Sequence, residues 1–282
     1  MNGPIAQLVA LTCHGNAAVV GNAAGRFFPD NSTCGYCDSV TFVSLKASPS
    51  GSDEVLVAST PDEWFVRLRN ANAVGIRLVG VPRNDPLISD RMSAGFVGGG
   101  GDWQMEVLLP DRTSEIWMAR WTVWNRDAPE QRIWRVTYGL LGNRATSQAP
   151  AADLARITEK FRNALQQIHA FSERQQCGDF FTTSFKSSLD CLADRRACAG
   201  YHGDLSVAGT IPREAVSVLQ AAQTAWVFGG MGSWNDMMFE GKAQTEYEKV
   251  SDQLFNVLRE AIPAAANSSL RNDGGPAELS AR

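Results

Sequence analysis

Two features that would suggest a partner are missing from this chain. No dense run of Lys and Arg occurs, and the formal net charge is -4 over 282 residues. Binding to a phosphate backbone depends on clustered basic side chains, so the sequence predicts no nucleic-acid partner. No segment approaches the roughly 18 apolar residues that cross a bilayer, so it predicts no membrane partner either.

Catalytic signatures are also scarce. The chain has only three histidines, His14, His169 and His202, and neither Gly-x-Ser-x-Gly nor His-Glu-x-x-His occurs. His202 lies in the Gly-rich segment 200–204, and loop residues of this kind often carry function. The sequence therefore favours a non-catalytic protein, with the His202 region as the alternative site of a hydrolase-like enzyme.

The N-terminal segment is not typical of a signal peptide, because no basic residue precedes its first apolar run. We therefore expect a cytoplasmic location. In that compartment the six cysteines are expected to stay reduced.

The cysteine spacing suggests one metal. Cys34 and Cys37 have the spacing of a zinc knuckle, and Cys13 is a candidate third ligand, with His14 as the alternative to it. The sequence thus predicts no cofactor other than a structural zinc at these three cysteines. Under the alternative interpretation, Cys34 and Cys37 are small buried apolar side chains beneath a loop. Cys198 and His202 resemble half of a second metal clip, but Cys191 lies on a predicted helix at unsuitable spacing.

The first half of the chain reads as β-rich. Residues 5–13 form a short apolar run that predicts a strand. Residues 95–141 alternate apolar and polar with period two, which predicts an antiparallel meander. Between these parts, Thr60, Pro61 and Glu63 form a capping signal that predicts a helix from residue 61 to about residue 72.

The second half changes to helical periodicity after residues 146–150. It predicts four helices, the last of which ends before Pro263. We therefore expect an α+β fold with an N-terminal β-rich half and a C-terminal four-helix half. The expected units are a β-rich α+β domain over 1–145, a helical domain packed on it over 150–266, and a disordered tail over 267–282.

One segment of the helical half is unusual and is called the glycine loop here (residues 226–236). It holds three glycines between two tryptophans. Under a structural interpretation, Gly229 ends the third helix in a left-handed cap and Trp234 packs into the core. Under a functional interpretation, Met231, Trp234 and Asp236 belong to a binding surface.

Tryptophans are concentrated in the meander, where five of the eight fall between Trp103 and Trp134. Trp124 is predicted to lie on the face opposite Trp117, beside Arg126. Trp and Arg are favoured anchors in protein interfaces. This face is thus a second candidate surface, unless both faces of the sheet are covered.

These observations lead to one functional hypothesis and one alternative. The hypothesis is a non-catalytic protein that binds another protein, such as an immunity protein that neutralises a basic secreted toxin, since an acidic surface speeds capture of a basic partner. The alternative is a metal-dependent or small-molecule-processing enzyme that uses the Cys34 and Cys37 pair or the His202 region.

Overall fold

A computed structural model of the chain describes residues 1–23, 25–48, 51–83, 85, 87–96, 98–146, 152–194 and 200–270. The helices are α1 (Gly3–Val19), α2 (Pro61–Asn70), α3 (Asp90–Ser93), α4 (Leu154–Arg174), α5 (Asp179–Asp194), α6 (Arg213–Ala225) and α7 (Gly241–Asn267). The strands are β1 (Cys37–Ser48), β2 (Gly51–Ala58), β3 (Gly75–Val81), β4 (Asp102–Leu108), β5 (Thr113–Val123) and β6 (Trp134–Ala145). The fold is α+β, as the sequence predicts.

The strands form one six-stranded sheet in the order β2-β1-β6-β5-β4-β3. Strands β3 to β6 pair antiparallel in sequence order, which confirms the predicted meander. β1 lies parallel to β6 and joins the β1–β2 hairpin to the meander. Helices α1, α2 and α7 pack against the sheet. Helices α4 and α6 pack with α7, and α5 packs with α4 and α6.

The prediction of a strand over residues 5–13 is wrong, because these residues belong to α1. The side chain of Asn2 accepts a hydrogen bond from the Ile5 N–H and caps the helix, and Pro4 lies in its first turn. Every residue from Ile5 to Cys13 is buried. A helix that is buried all round shows no amphipathic period, and a short apolar run cannot then be told from a buried strand.

The prediction for α2 is confirmed because its signals are local. The Thr60 hydroxyl accepts from the Glu63 N–H at 3.2 Å, and Pro61 is the first helical residue. The carboxylate of Glu63 accepts from the Ser59 N–H at 2.8 Å, so the reciprocal bond reaches one residue further back than a capping box. The helix buries Trp64, Phe65 and Leu68 as expected; it ends at Asn70.

The last helix also departs from the prediction, since α7 continues through Pro263 to Asn267. The three alanines after Pro263 are buried, and this packing compensates for the hydrogen bond that proline removes. Asn267 bonds the backbone of Leu78 in β3 through both atoms of its amide. The start of the predicted disordered tail is thus ordered, whereas residues 271–282 lie outside the described part of the chain.

One apolar core runs through both halves of the chain. Its sheet side centres on Trp64, Trp117, Phe42 and Tyr138, whose rings stack or meet edge to face. Its helical side centres on Trp234. The two predicted units therefore share one core, with α1 and α7 between them.

Candidate functional site

A cavity of about 670 Å³ opens at one end of the sheet. It lies where the N-terminal end of α1, the turn before β1, strands β4 to β6 and the segment 201–202 meet. The segment before β4, here called the cavity loop (residues 94–96 and 98–101), contributes a further wall. Segments distant in sequence therefore build this cavity together.

Most of the cavity wall is apolar and aromatic. Trp103, Trp121 and Trp134 line it from the sheet, and Ile5 and Leu8 line it from α1. The rings of Trp121 and Trp134 meet edge to face at 6.0 Å. The indole N–H groups of Trp103 and Trp121 have no acceptor in the described part of the chain. Because most of the lining side chains are apolar, the cavity walls suit a mainly apolar molecule.

A polar cluster of Ser32, His202 and Asp204 stands at one end of the cavity, and the first two line it. The Ser32 Oγ lies 2.8 Å from His202 Nδ1 and also donates to a carboxylate oxygen of Asp204. The Ser32 N–H donates to the other carboxylate oxygen at 2.7 Å. His202 is 8% exposed. Burial lowers the pKa of His202, against the opposing effect of the Asp204 charge.

The backbone around this cluster is anchored from α1 and from α6. His14 Nε2 lies 2.9 Å from the carbonyl oxygen of Asp204, which also accepts from the Asn31 amide at 2.9 Å. The Gln223 side chain accepts from the His202 N–H at 2.8 Å and donates to its carbonyl at 3.2 Å. These bonds hold the segment that carries His202 in one position.

A second polar group at the cavity is an ion pair. The guanidinium of Arg83 donates to the carboxylate of Asp102 from Nε at 2.8 Å and from Nη2 at 2.5 Å. Both residues line the cavity. Because the two opposite charges pair with each other, Arg83 and Asp102 together contribute no net charge to the cavity wall.

The glycine loop supports the cavity loop from behind. A Cβ atom at Gly95 would lie 2.3 Å from the carbonyl carbon of Gly229, so the two backbones meet without side chains between them. Gly229 itself does not adopt a positive φ, and α6 has already ended at Ala225. The predicted left-handed cap at Gly229 is therefore wrong; the residue that must lack a side chain at this contact is Gly95.

Two arginines fix the segment that leads into the cavity loop. Arg91, only 3% exposed, pairs with Asp252 at 2.6 Å and with Glu248, and donates to the Asn235 amide oxygen at 3.2 Å. Arg259 of α7 pairs with Asp90. The segment before the cavity loop is thus held to α7 by ion pairs and to the glycine loop by a hydrogen bond.

The Cys34 and Cys37 pair lies beside the cavity under Gln7 of α1. The Gln7 Nε2 donates to the Thr33 carbonyl at 3.2 Å and lies 3.8 Å and 3.6 Å from the two sulfurs. Its Oε1 accepts from the Tyr138 hydroxyl at 2.8 Å. Burial raises the pKa of Cys34 to about 12 and that of Cys37 to about 11. Both are therefore neutral thiols and poor nucleophiles.

Cys13 is not gathered with this pair. Its sulfur lies 3.8 Å from the carbonyl oxygen of Ala266 in α7. Gln7 contacts both Cys34 and Cys37, and Cys13 is six residues further along α1. This offset corresponds to about 9 Å at the helical rise, which is far more than the ligands of one zinc ion allow. In the part of the chain that the structure describes, no group of three or more His, Cys, Asp or Glu side chains is placed to hold a metal ion.

No protein family, curated protein or solved structure matches the chain.

The predicted residues at the end of the meander are exposed. Trp124 directly follows β5 and is 49% exposed. The guanidinium carbon of Arg135 lies 3.4 Å from the centre of the Trp124 ring. Arg126 is also exposed. A stacked tryptophan and arginine therefore stand at the surface beside the β5–β6 connection.

The predicted residues of the glycine loop are divided. Met231 is fully exposed and Asp236 is exposed, with its carboxylate accepting from the Gly232 N–H at 2.5 Å. Trp234 is completely buried; its Nε1 donates to the Ser251 hydroxyl at 2.7 Å. The structural interpretation of Trp234 as a core residue is confirmed. Its assignment to a binding surface is corrected, because a partner could not touch it.

None of the helices in the described ranges has the length and apolar character to cross a membrane.

Cys13, Cys34, Cys37 and Cys177 are free, whereas Cys191 is disulfide-bonded. The expectation that every cysteine is reduced is therefore wrong. Cys198, half of the second predicted metal clip, lies outside the described residues.

The sequence indicates His202 as a candidate residue but does not indicate its partners Ser32 and Asp204. Ser32 stands 170 positions from His202, in a turn whose only local signal is the capping residue Asn31. Asp204 falls in the same Gly-rich segment as His202 and could have been chosen from it. Only the fold brings Ser32 to that segment.

Proposed function

We propose that this protein binds a small, mainly apolar molecule in the cavity at the end of the sheet. The observation that carries this proposal is a cavity of about 670 Å³ with aromatic walls and one polar end. Ligand sites in proteins are generally concave, mostly apolar, roughly 300–1,000 Å³ in volume, and equipped with a few convergent polar groups.

The surroundings of the cavity support a preformed site. Hydrogen bonds from α1 and α6 hold the His202 segment, and the contact of Gly95 with Gly229 holds the cavity loop. Because the protein's own contacts make these supports, little ordering is needed on binding. Preorganisation of this kind increases affinity.

Calorimetric titration with β-naphthol tests the proposal, because this bicyclic phenol is smaller than the cavity. We expect a single site with a dissociation constant on the order of 10–100 μM. Ala119 lines the cavity from β5, so Ala119→Phe should fill part of it and weaken binding about tenfold or more. Ala145→Phe, at an exposed position of β6, is the matched control and should bind as the wild type does.

A set of outcomes would reject the proposal. No heat of binding with β-naphthol or with a smaller apolar probe would mean that the cavity does not accept such molecules. Equal binding by Ala119→Phe and Ala145→Phe would place the probe elsewhere on the protein.

Protein binding remains a second candidate, and the exposure of Trp124 and Met231 favours it. Large apolar side chains at the surface can anchor a partner, and the net charge of -4 suits a basic one, such as a toxin neutralised by an immunity protein. Affinity purification from the source organism tests this. A partner that the wild type retains and Trp124→Ala or Met231→Ser loses would support it; a partner-free monomer would count against it.

Two features bear on the compartment in opposite directions. The free thiols of Cys13, Cys34 and Cys37 favour the cytoplasmic location predicted from the sequence. The disulfide of Cys191 is typical of an oxidising compartment, because thiols are kept reduced in the cytosol. Fractionation of the source cells, with the redox state of Cys191 measured in each fraction, would decide between them.

A further inference from the structure

The polar cluster at the cavity end contains a chain of three hydrogen-bonding groups. Asp204 receives two hydrogen bonds from Ser32, one from its N–H at 2.7 Å and one from its hydroxyl. The same hydroxyl oxygen lies 2.8 Å from His202 Nδ1. An ionised carboxylate only accepts hydrogen bonds, and a serine hydroxyl has one hydrogen to give.

The positions of the protons follow from this chain. Ser32 gives its hydrogen to Asp204, so the bond between Ser32 and His202 requires a hydrogen on His202 Nδ1. Burial favours the neutral imidazole, which carries one N–H only. The hydrogen is then on Nδ1, and Nε2 carries a free lone pair.

Within the described ranges, the lone pair of His202 Nε2 has no hydrogen-bond partner. No side chain or backbone group of the described ranges bonds to Nε2, whereas Nδ1, the backbone N–H and the carbonyl of His202 are all bonded. The ring of Tyr201 packs edge to face against the imidazole at 4.7 Å. His202 is a lining residue of the cavity. It therefore offers an acceptor of fixed position to whatever occupies the cavity.

We propose that His202 Nε2 accepts a hydrogen bond from the hydroxyl group of an aromatic alcohol or phenol bound in the cavity. This inference depends on the proposed small-molecule function and adds the chemical class of the ligand. The tryptophan walls contact the ring of such a molecule, and its hydroxyl supplies the donor that Nε2 requires. A molecule that has only acceptors at the same place would meet a lone pair and bind more weakly.

The test compares β-naphthol with its methyl ether by calorimetric titration, because the two differ at the hydroxyl hydrogen. The wild type should bind the phenol about tenfold more tightly, as expected for one net hydrogen bond. In His202→Phe the ring is kept but the acceptor is lost, so the two ligands should bind within about twofold of each other. His169→Phe, on α4, is the matched control and should keep the preference.

A second variant tests the hydrogen-bond chain. Ser32→Ala removes the group that holds the hydrogen on His202 Nδ1, so the preference for the phenol should shrink. Nitrogen NMR of the imidazole should show the hydrogen on Nδ1 in the wild type and a mixture of both tautomers in Ser32→Ala. A hydrogen on Nε2 in the wild type would overturn the inference.

The comparison of ligands in the wild type does not depend on any variant. Equal affinity for the phenol and the ether would overturn this inference and leave small-molecule binding standing. Absence of binding by both would overturn the two proposals together.

Discussion

The burial of Trp234 leads to a specific prediction of stability. Its side chain is 0% exposed, and it packs against four aromatic rings: Phe171, Phe181, Phe185 and Tyr247. Replacement by alanine would leave a cavity that rigid neighbours fill only in part. A loss of about 3–5 kcal/mol in the free energy of unfolding is expected for such a change.

A second replacement separates packing from hydrogen bonding. Trp234→Phe keeps an aromatic ring but removes the N–H that donates to Ser251 at 2.7 Å. Ser251 is fully buried, so its hydroxyl loses a donor that water cannot replace. We expect Trp234→Phe to cost about 1–3 kcal/mol, and the further change Ser251→Ala to recover part of that cost.

Urea unfolding followed by circular dichroism measures these effects. With a slope of roughly 3 kcal/mol/M, the midpoint of Trp234→Ala should fall by roughly 1–2 M. Trp124→Ala is the matched control, because Trp124 is 49% exposed and its main contact is a surface cation–π pair with Arg135. Such pairs contribute about 0.5–1 kcal/mol at exposed sites.

A free-energy cost of Trp234→Ala no larger than that of Trp124→Ala would contradict the role of Trp234 as a core residue. That result would mean that the glycine loop is loosely attached. It could not then support the cavity loop in the way that the contact of Gly95 with Gly229 requires.

Three further predictions follow from the site. Burial lowers the pKa values of His14 and His202 below 6.5, so the unfolded chain binds protons at a higher pH than the folded protein does. The stability should therefore be full above about pH 6.5 and should fall as the pH drops through the folded pKa values. Urea midpoints measured at about pH 7.5 and about pH 5 test this. Cys34 and Cys37, with pKa values raised to about 12 and about 11, should resist thiol reagents at neutral pH until the protein unfolds. Gly95→Ala should cost about 1–3 kcal/mol by overpacking and weaken β-naphthol binding.

Each of these has its own control. The acid destabilisation should be smaller in His202→Phe, and an unchanged acid dependence would contradict the assignment. Rapid modification of Cys34 or Cys37 in the native protein would contradict their burial. As the control for the reagent, reduction of the disulfide at Cys191 should release two thiols. A Cβ atom at Gly139 would have no neighbour within 4 Å, and Gly139 has no positive φ, so Gly139→Ala should be tolerated. An equal loss of stability in both glycine variants would rule out the contact of Gly95 with Gly229.

Local signals explain what the sequence could predict. The capping residues of α2 and the period-two pattern of β4 to β6 depend on neighbours a few positions apart, and both predictions hold. The four helices of the second half are present for the same reason. Where the local pattern is uniform, as in the buried helix α1, the sequence alone gives no way to choose between helix and strand.

Long-range contacts explain what the sequence could not predict. The parallel pairing of β1 with β6 and the meeting of Gly95 with Gly229 have no local signature. The cavity depends on both kinds of contact, since its lining comes from segments far apart in the chain. His202 could be selected from its Gly-rich segment, but its hydrogen bond to Ser32 depends on the whole fold.

The position of a bound ligand would show whether the cavity is the binding site. A crystal of the protein soaked with a bromine-substituted β-naphthol would show the ligand and, by anomalous scattering, the bromine. We predict that both lie in the cavity between Trp103, Trp121 and His202, with the hydroxyl within hydrogen-bonding distance of His202 Nε2. An empty cavity, or a ligand bound only at the outer surface, would contradict the assignment of this cavity as the binding site.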